Sequence, residues 1–331
     1  MSAHGDQPHN QNQGRSTRGW LDLYGMPTWG LPAADLPVAE DGLAGIERRE
    51  SLAGEFDLIR RIVRAAAAAS CSEAEFARRL RTPKVMLQPR LSAVDNSVVG
   101  YGLRDPRTAH MGPEVSDREL GSDCLLAELR LEWDTSDQAR LEASAEWRQV
   151  GILGRWQRES VVLTSAVMWR RAVADASAFH DWLQGLDDWD HHSWQWAAGR
   201  VAGVLAIWSL RTEPGSGGPL AAASEQLAHS AWMAGARRRP QHGEVPAPGL
   251  ARTAYVLAQQ SSRARDVECE ALLAGKLTAS VMSIAKSYRR RGWLGGAIRL
   301  TEKALTPLHD VERQLHEQLD SLPREDDGSV G

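Results

Sequence analysis

The stretch from Phe56 to Leu103, FDLIRRIVRAAAAASCSEAEFARRLRTPKVMLQPRLSAVDNSVVGYGL, decides the fold. Phe56, Ile59, Val63, Ala66 and Ala67 recur at spacings of three and four, and the alanine run favours helix. Ser70-Cys71 ends that helix. Ser72 starts a second one, with Glu75 three residues on as in a capping box and Cys71 and Phe76 at the positions of a hydrophobic staple. Phe76 and Leu80 share one face, Arg78, Arg79 and Arg81 lie elsewhere, and Pro83 stops the helix. Residues 85–91 alternate as a strand, which Pro89 confines to a sheet edge or a bulge. Asp95-Asn96-Ser97 is turn chemistry, and residues 98–103, with Gly100 and Gly102, form the returning strand. The stretch therefore reads as a small α+β module of two helices plus a β-hairpin.

Working outward, residues 1–54 carry Gly, Pro, Gln and Asn with little periodicity and read as a flexible tail. Residues 55–104 hold nine bases against five acids, whereas residues 105–150 hold eleven acids against five arginines. The second segment reads as an acidic helical extension of the module, which then spans 55–150. Such a contrast between neighbours predicts either a polarised surface or two solvated helix faces. Beyond it, apolar stripes recur at helical spacing. Val161, Ser165, Met168, Ala172, Ala176, Phe179 and Leu183 form one, and Trp194, Ala198, Val201, Leu205 and Trp208 form the next. Pro214 to Pro219 breaks the pattern before Leu220, Ala223, Leu227 and Ala231, and a second loop occupies 235–249. Two long helices, about 250–290 and 292–321, complete an antiparallel bundle over 160–321, and the acidic residues 322–331 read as a disordered tail. The fold class is mainly α.

Composition limits the partners. The 331 residues carry a net charge of −4, so any nucleic-acid surface must be a local patch rather than a global field. Cys71, Cys124 and Cys269 are far apart and odd in number, which predicts reduced thiols and neither a disulfide framework nor a zinc module. No apolar run approaches the roughly 20 residues that span a bilayer, and Met1 precedes a polar start, so the chain reads as cytoplasmic with no membrane partner. Tryptophan dominates the aromatics, with 13 Trp against 4 Tyr and 3 Phe. Such residues can stack on bases or on partner proteins, but their spacing here favours helix packing.

Few motifs carry chemistry. Asp187-Asp188-Trp189-Asp190-His191-His192 has metal-compatible side chains, yet adjacent residues do not easily converge on one ion, and an Asp-rich turn explains them better. His309 and His316 are seven apart, too far for the paired histidines of a zinc helix. No phosphate-binding GxxxxGK[ST] loop and no GxSxG elbow occurs. We therefore expect no catalytic residues, no metal and no cofactor. Arg78, Arg79, Arg81, Lys84 and Arg90 lie close in sequence on one module and are the candidate nucleic-acid-binding residues, against the plainer reading of a solvated face. Arg237-Arg238-Arg239 in a loop and Arg289-Arg290-Arg291 at a helix end read as solvated charge.

Three blocks, in shared order, resemble the region downstream of the nicking domain in relaxases, the mobilisation proteins of actinobacterial plasmids and conjugative elements. The first is Ser72-Glu73-Ala74-Glu75-Phe76-Ala77-Arg78-Arg79-Leu80 with the hairpin ending Val98-Val99-Gly100-Tyr101. The second is Leu120, Asp123, Leu126, Leu129, Arg130 and Trp133. The third runs from Ala202 to Arg211, then Gly218-Pro219-Leu220 and Leu227-Ala228-His229-Ser230. The chain departs from that family at Thr82-Pro83-Lys84, where a glycine usually closes the second helix. It departs again before the second block, where only Gly112 and Gly121 stand for a glycine cluster. Relaxases of this type cut DNA with a tyrosine beside a metal held by clustered histidines, whereas residues before 55 offer only His4, His9 and Tyr24. The resemblance thus implies a non-catalytic mobilisation protein that contacts plasmid DNA, or a separately encoded relaxase or other relaxosome protein. The alternatives are a structural helical interaction module without DNA binding, one half of a split relaxase, and a decayed relaxase fragment.

Overall fold

One helix, α1 (Gly42–Ala69), contributes to two hydrophobic cores. Ile59, Ile62, Val63 and Ala66 pack into the first, while Ala65, Ala68 and Ala69 pack into the second. The alanine run thus serves close packing as well as helix propensity. The computed structural model describes residues 42–81, 85–104, 106, 114–149, 166–232, 250–259 and 267–321. The described residues beyond Glu47 belong to one compact unit, Arg48–Gly331. Helix α1 begins inside the stretch read from sequence as tail; residues 1–41 and 322–331 lie outside the described residues.

The first core is the α+β module. Helix α2 (Glu73–Leu80) is capped by Ser72, whose hydroxyl accepts from the Glu75 N–H at 3.2 Å, and the Glu75 carboxylate reaches back to the Cys71 N–H at 2.8 Å. No staple forms there, because Cys71 stays exposed. Phe76 finds its packing elsewhere: its ring lies 5.7 Å from Tyr101, 5.2 Å from Trp133 and 6.4 Å from Trp147. Strands β1 (Met86–Leu91), β2 (Val98–Arg104) and β3 (Val115–Ser116) make an antiparallel sheet in that order. The expectation for Pro89 holds: β1 is an edge strand, and its bulge falls one residue later, between Arg90 and Leu91. Leu87, Tyr101, Leu103 and Val115 face the core. Both glycines of β2 make room for acids. A Cβ on Gly102 would meet the Glu114 side chain, and one on Gly100 would lie 2.5 Å from Arg90 Nη2 and 2.8 Å from an Asp117 carboxylate oxygen, so Gly100 makes room for the whole ion pair. Short helices α3 (Asp117–Leu120) and α4 (Leu126–Leu129) follow, α3 opening on a reciprocal capping box between Ser116 and Glu119. Helix α5 (Asp137–Arg148) returns to pack on α2, burying Ala143 and Trp147.

The second core is helical. Helices α6 (Ala166–Gln184), α7 (His191–Thr212) and α8 (Pro219–Trp232) carry the stripes read from sequence. Ala172, Ala176, Phe179 and Leu183 are buried on α6, Trp194, Ala198, Val201, Leu205 and Trp208 on α7, and Leu220, Ala223, Leu227 and Ala231 on α8. Val161 and Ser165 lie outside the described residues. In the Pro214–Pro219 breaker, Glu213 caps α8 from across the loop, its carboxylate accepting from the Leu220 N–H at 2.6 Å and the Ala221 N–H at 3.0 Å. The helix expected over 250–290 is described as α9 (Ala251–Gln259) and α10 (Val267–Arg290), with 260–266 outside the described residues. The helix expected over 292–321 is not uniform. Helix α11 (Leu294–Leu300) passes through a π turn, Thr301–Leu305, into α12 (Thr306–Asp320). Pro307 has no N–H to donate back to Lys303, and the wider turn accommodates that missing bond. No described helix is long and apolar enough to cross a membrane.

Candidate nucleic-acid interface

The candidate arginines do not form one patch. Arg78 and Arg81 converge on a single carboxylate, Glu146 of α5. Arg78 donates to Oε1 through Nε at 3.1 Å and through Nη2 at 2.6 Å, while Arg81 engages Oε2 and donates to Gln149 Oε1 at 2.9 Å. Arg79 points the other way, with its guanidinium 5.4 Å over the Tyr255 ring on α9. Arg90 lies on the outer face of the sheet and pairs with Asp117, whose side chain is only 2% exposed. Lys84 lies outside the described residues. The acidic extension therefore meets the basic module directly. Arg104 with Glu114 at 2.9 Å extends the same pattern, and Arg130 with Glu73 at 2.5 Å joins the two segments with the signs reversed. Glu73 also accepts from the Trp147 indole N–H at 2.8 Å, which ties the start of α2 to the end of α5.

Sequence reasoning did not single out a set of arginines that are buried or half-buried. Arg60, Arg61 and Arg64 of α1 and Arg200 of α7 form a polar seam bordering both cores. Arg64 donates through Nε to Asp123 at 2.6 Å, both side chains being 6% exposed, and its Nη1 engages Glu225 of α8. Arg60 donates to the other Glu225 oxygen at 2.6 Å. Arg61 donates to Ser209 Oγ at 2.8 Å and to the Gly215 carbonyl. Arg200 donates to the Ala68 carbonyl at 2.7 Å, satisfying an acceptor near the end of α1, and stands 3.6 Å from Glu132. A cleft with room for about one water lies among Arg64, Asp123, Glu132 and Arg200. Burial opposes charge on Arg64, but Asp123 and Glu225 outweigh it and hold the guanidinium ionised. Burial likewise pushes the Glu225 carboxyl up, yet the Arg64 and Arg60 guanidiniums hold it below the usual carboxylate range. A signal was present: Arg61, Arg64, Ala65 and Ala68 are spaced three, one and three apart, which places two arginines beside the alanines that meet the bundle.

The seam is well suited to joining elements. It presents paired charges rather than an open ligand site, and no group of three or more metal-compatible side chains occurs among the described residues. The Asp187–His192 run serves its turn instead. Asp190 caps α7, accepting from the Ser193 N–H at 3.1 Å, Asp187 accepts from the Trp189 N–H at 2.9 Å, and Asp188 meets Arg290 at 3.2 Å. His309 pairs with Glu312 at 3.6 Å on an exposed face. Comparison of the chain with protein-family models, with curated proteins and with solved structures gave no significant match.

Proposed function

We propose that this chain is a non-catalytic helical interaction protein, a scaffold that binds other proteins rather than cutting or gripping DNA. One observation carries the reading: of the candidate arginines, Arg78 and Arg81 are already held by Glu146, and Arg90 by Asp117. A phosphate would have to displace a carboxylate at each position, and counterion release, the source of most backbone affinity, is weakened when the cation starts out paired. The resemblance to the non-nicking region of mobilisation proteins supplies the setting, an accessory role beside a relaxase.

A second reading retains direct DNA contact within that setting. Two features favour it: the ordered resemblance of the three blocks, and the Arg78 side chain, which remains 49% exposed beside its partner. Titration of single- and double-stranded DNA against salt separates the two. The scaffold reading expects no binding at about 50 mM salt and no effect of replacing Arg78, Arg79 and Arg81 by alanine. The DNA reading expects a log–log slope of roughly −2 to −4.5, flattened in that triple variant.

A further inference from the structure

Trp189 alone is exposed, at 69%, among the tryptophans whose burial is described. Its presentation is fixed by hydrogen bonds. Asp187 Oδ1 accepts from its N–H at 2.9 Å, and its own carbonyl accepts from the His191 N–H at 2.8 Å. Its ring stands edge-on to His191 at 6.5 Å, and His191 lies 6.1 Å from Trp293 in the turn between α10 and α11. Arg291 binds this corner together. It lies over the Tyr288 ring at 4.9 Å and the Trp293 ring at 5.2 Å, and donates to His191 Nδ1 at 2.7 Å. Immediately beyond, Leu294 and Ile298 stand one turn apart on α11, 58% and 50% exposed, with open space at Gly295 between them. Both signs of charge flank this apolar surface. Arg290 and Asp188 pair at 3.2 Å, but the Arg290 side chain is 68% exposed and the pair is solvent-facing.

We propose that this corner is a two-fold interface between two copies of the chain. An exposed Trp in a hydrogen-bonded turn, with two exposed aliphatic side chains on the adjoining helix, calls for an apolar partner, and little backbone ordering is lost on binding. Positive and negative side chains lie side by side here, which makes the patch complementary to itself. A two-fold axis near the Arg290–Asp188 pair lets each Arg290 take the Asp188 of the second copy at small cost, since an exposed pair contributes little on its own. Other occupants fit less well. Asp187, Asp188 and Asp190 repel phosphate and acidic peptides, aliphatic Leu294 and Ile298 offer no stacking face to a base, and Arg289 and Arg290 repel a basic partner. The proposal goes beyond the scaffold reading and stands or falls separately from it.

Sedimentation velocity on the full chain, over about 1 to 100 µM, tests it. The wild type is expected to shift from monomer to dimer across that range, and Leu294→Glu to weaken the dimer by roughly tenfold or more. Arg290→Glu and Asp188→Arg are each expected to be monomeric alone, because each places like charges across the axis. Mixed in equal amounts they are expected to form a heterodimer, since both contacts across the axis then join opposite charges. Leu294 and Arg290 are exposed and Asp188 is partly so, and unchanged circular dichroism confirms that the variants fold. A wild type that stays monomeric at about 100 µM overturns the proposal, and one that instead binds an oligonucleotide through Trp189 assigns the corner to nucleic acid. A dimer untouched by the variants, or a mixture that fails to restore it, equally overturns the proposed interface.

Discussion

Asp123 is the most deeply buried acid of the seam. Its carboxylate meets Arg64 at 2.6 Å with both side chains 6% exposed, so neutralising it leaves a buried guanidinium with half of its compensation. Asp123→Asn is therefore expected to destabilise the protein by about 3 kcal/mol or more, read as a lower urea midpoint at unchanged slope. An effect below about 1 kcal/mol would mean that water in the cleft beside Arg64 takes over the carboxylate's role. Glu225 adds a pH dependence of defined sign. Its folded-state pKa is lowered, so its contribution is fully present above the ordinary value of 4.5 and is lost as the pH falls through the lower folded value. Stability measured from about pH 7 down to about pH 3 should accordingly fall less steeply in Glu225→Gln than in the wild type. Parallel curves would show that other carboxylates carry the acid response. These residues were hard to read from sequence for a physical reason. A charged side chain reads as solvated unless its partners are known, and the partners of Arg64 lie 59 and 161 positions away.

At the scale of elements, local chemistry was largely legible. The two helices and the hairpin of 56–103 are present, with Ser72 as a cap and Pro89 on an edge strand, because caps, turn residues and proline act over a few positions. Cys71 departs from the expected staple, since the sheet and α5 already enclose Phe76. The helix expected over 292–321 departs at Pro307, where apolar spacing continued across a break in the hydrogen-bond ladder. The two glycines of β2 had no visible reason in sequence. Their reason is tertiary: the Glu114 side chain at Gly102, and the Arg90–Asp117 pair at Gly100, occupy the space a Cβ would take.

At the scale of the whole molecule, the bundle and the module share α1. A Cβ on Gly203 would meet Ala68 and lie 3.0 Å from the Arg64 carbonyl, so α7 approaches the α1 backbone closely. A fragment covering 160–321 loses Ala65, Ala68 and Ala69 from its core and leaves Arg200, Ser209 and Glu225 without their α1 partners. It is expected to remain helical but to melt at a lower temperature and over a broader range than the full chain, as followed by circular dichroism. Equal melting temperatures and widths would show that the bundle needs nothing from α1 and that the boundary near 160 is an energetic one.

The sequence by itself determined the fold class, the capped helices and hairpin of the module, and the buried stripes of α6, α7 and α8. Each depends on periodicity or on residues a few positions apart, and such signals survive without knowledge of what packs against them. Only the tertiary structure decided how the charges are used. The excess of bases over 55–104 read equally as a DNA-facing patch or a solvated face, and the carboxylate that Arg78 and Arg81 share, Glu146, lies more than 60 residues from both. Pairing between charges is set by folded distance, which the order of residues along the chain does not contain.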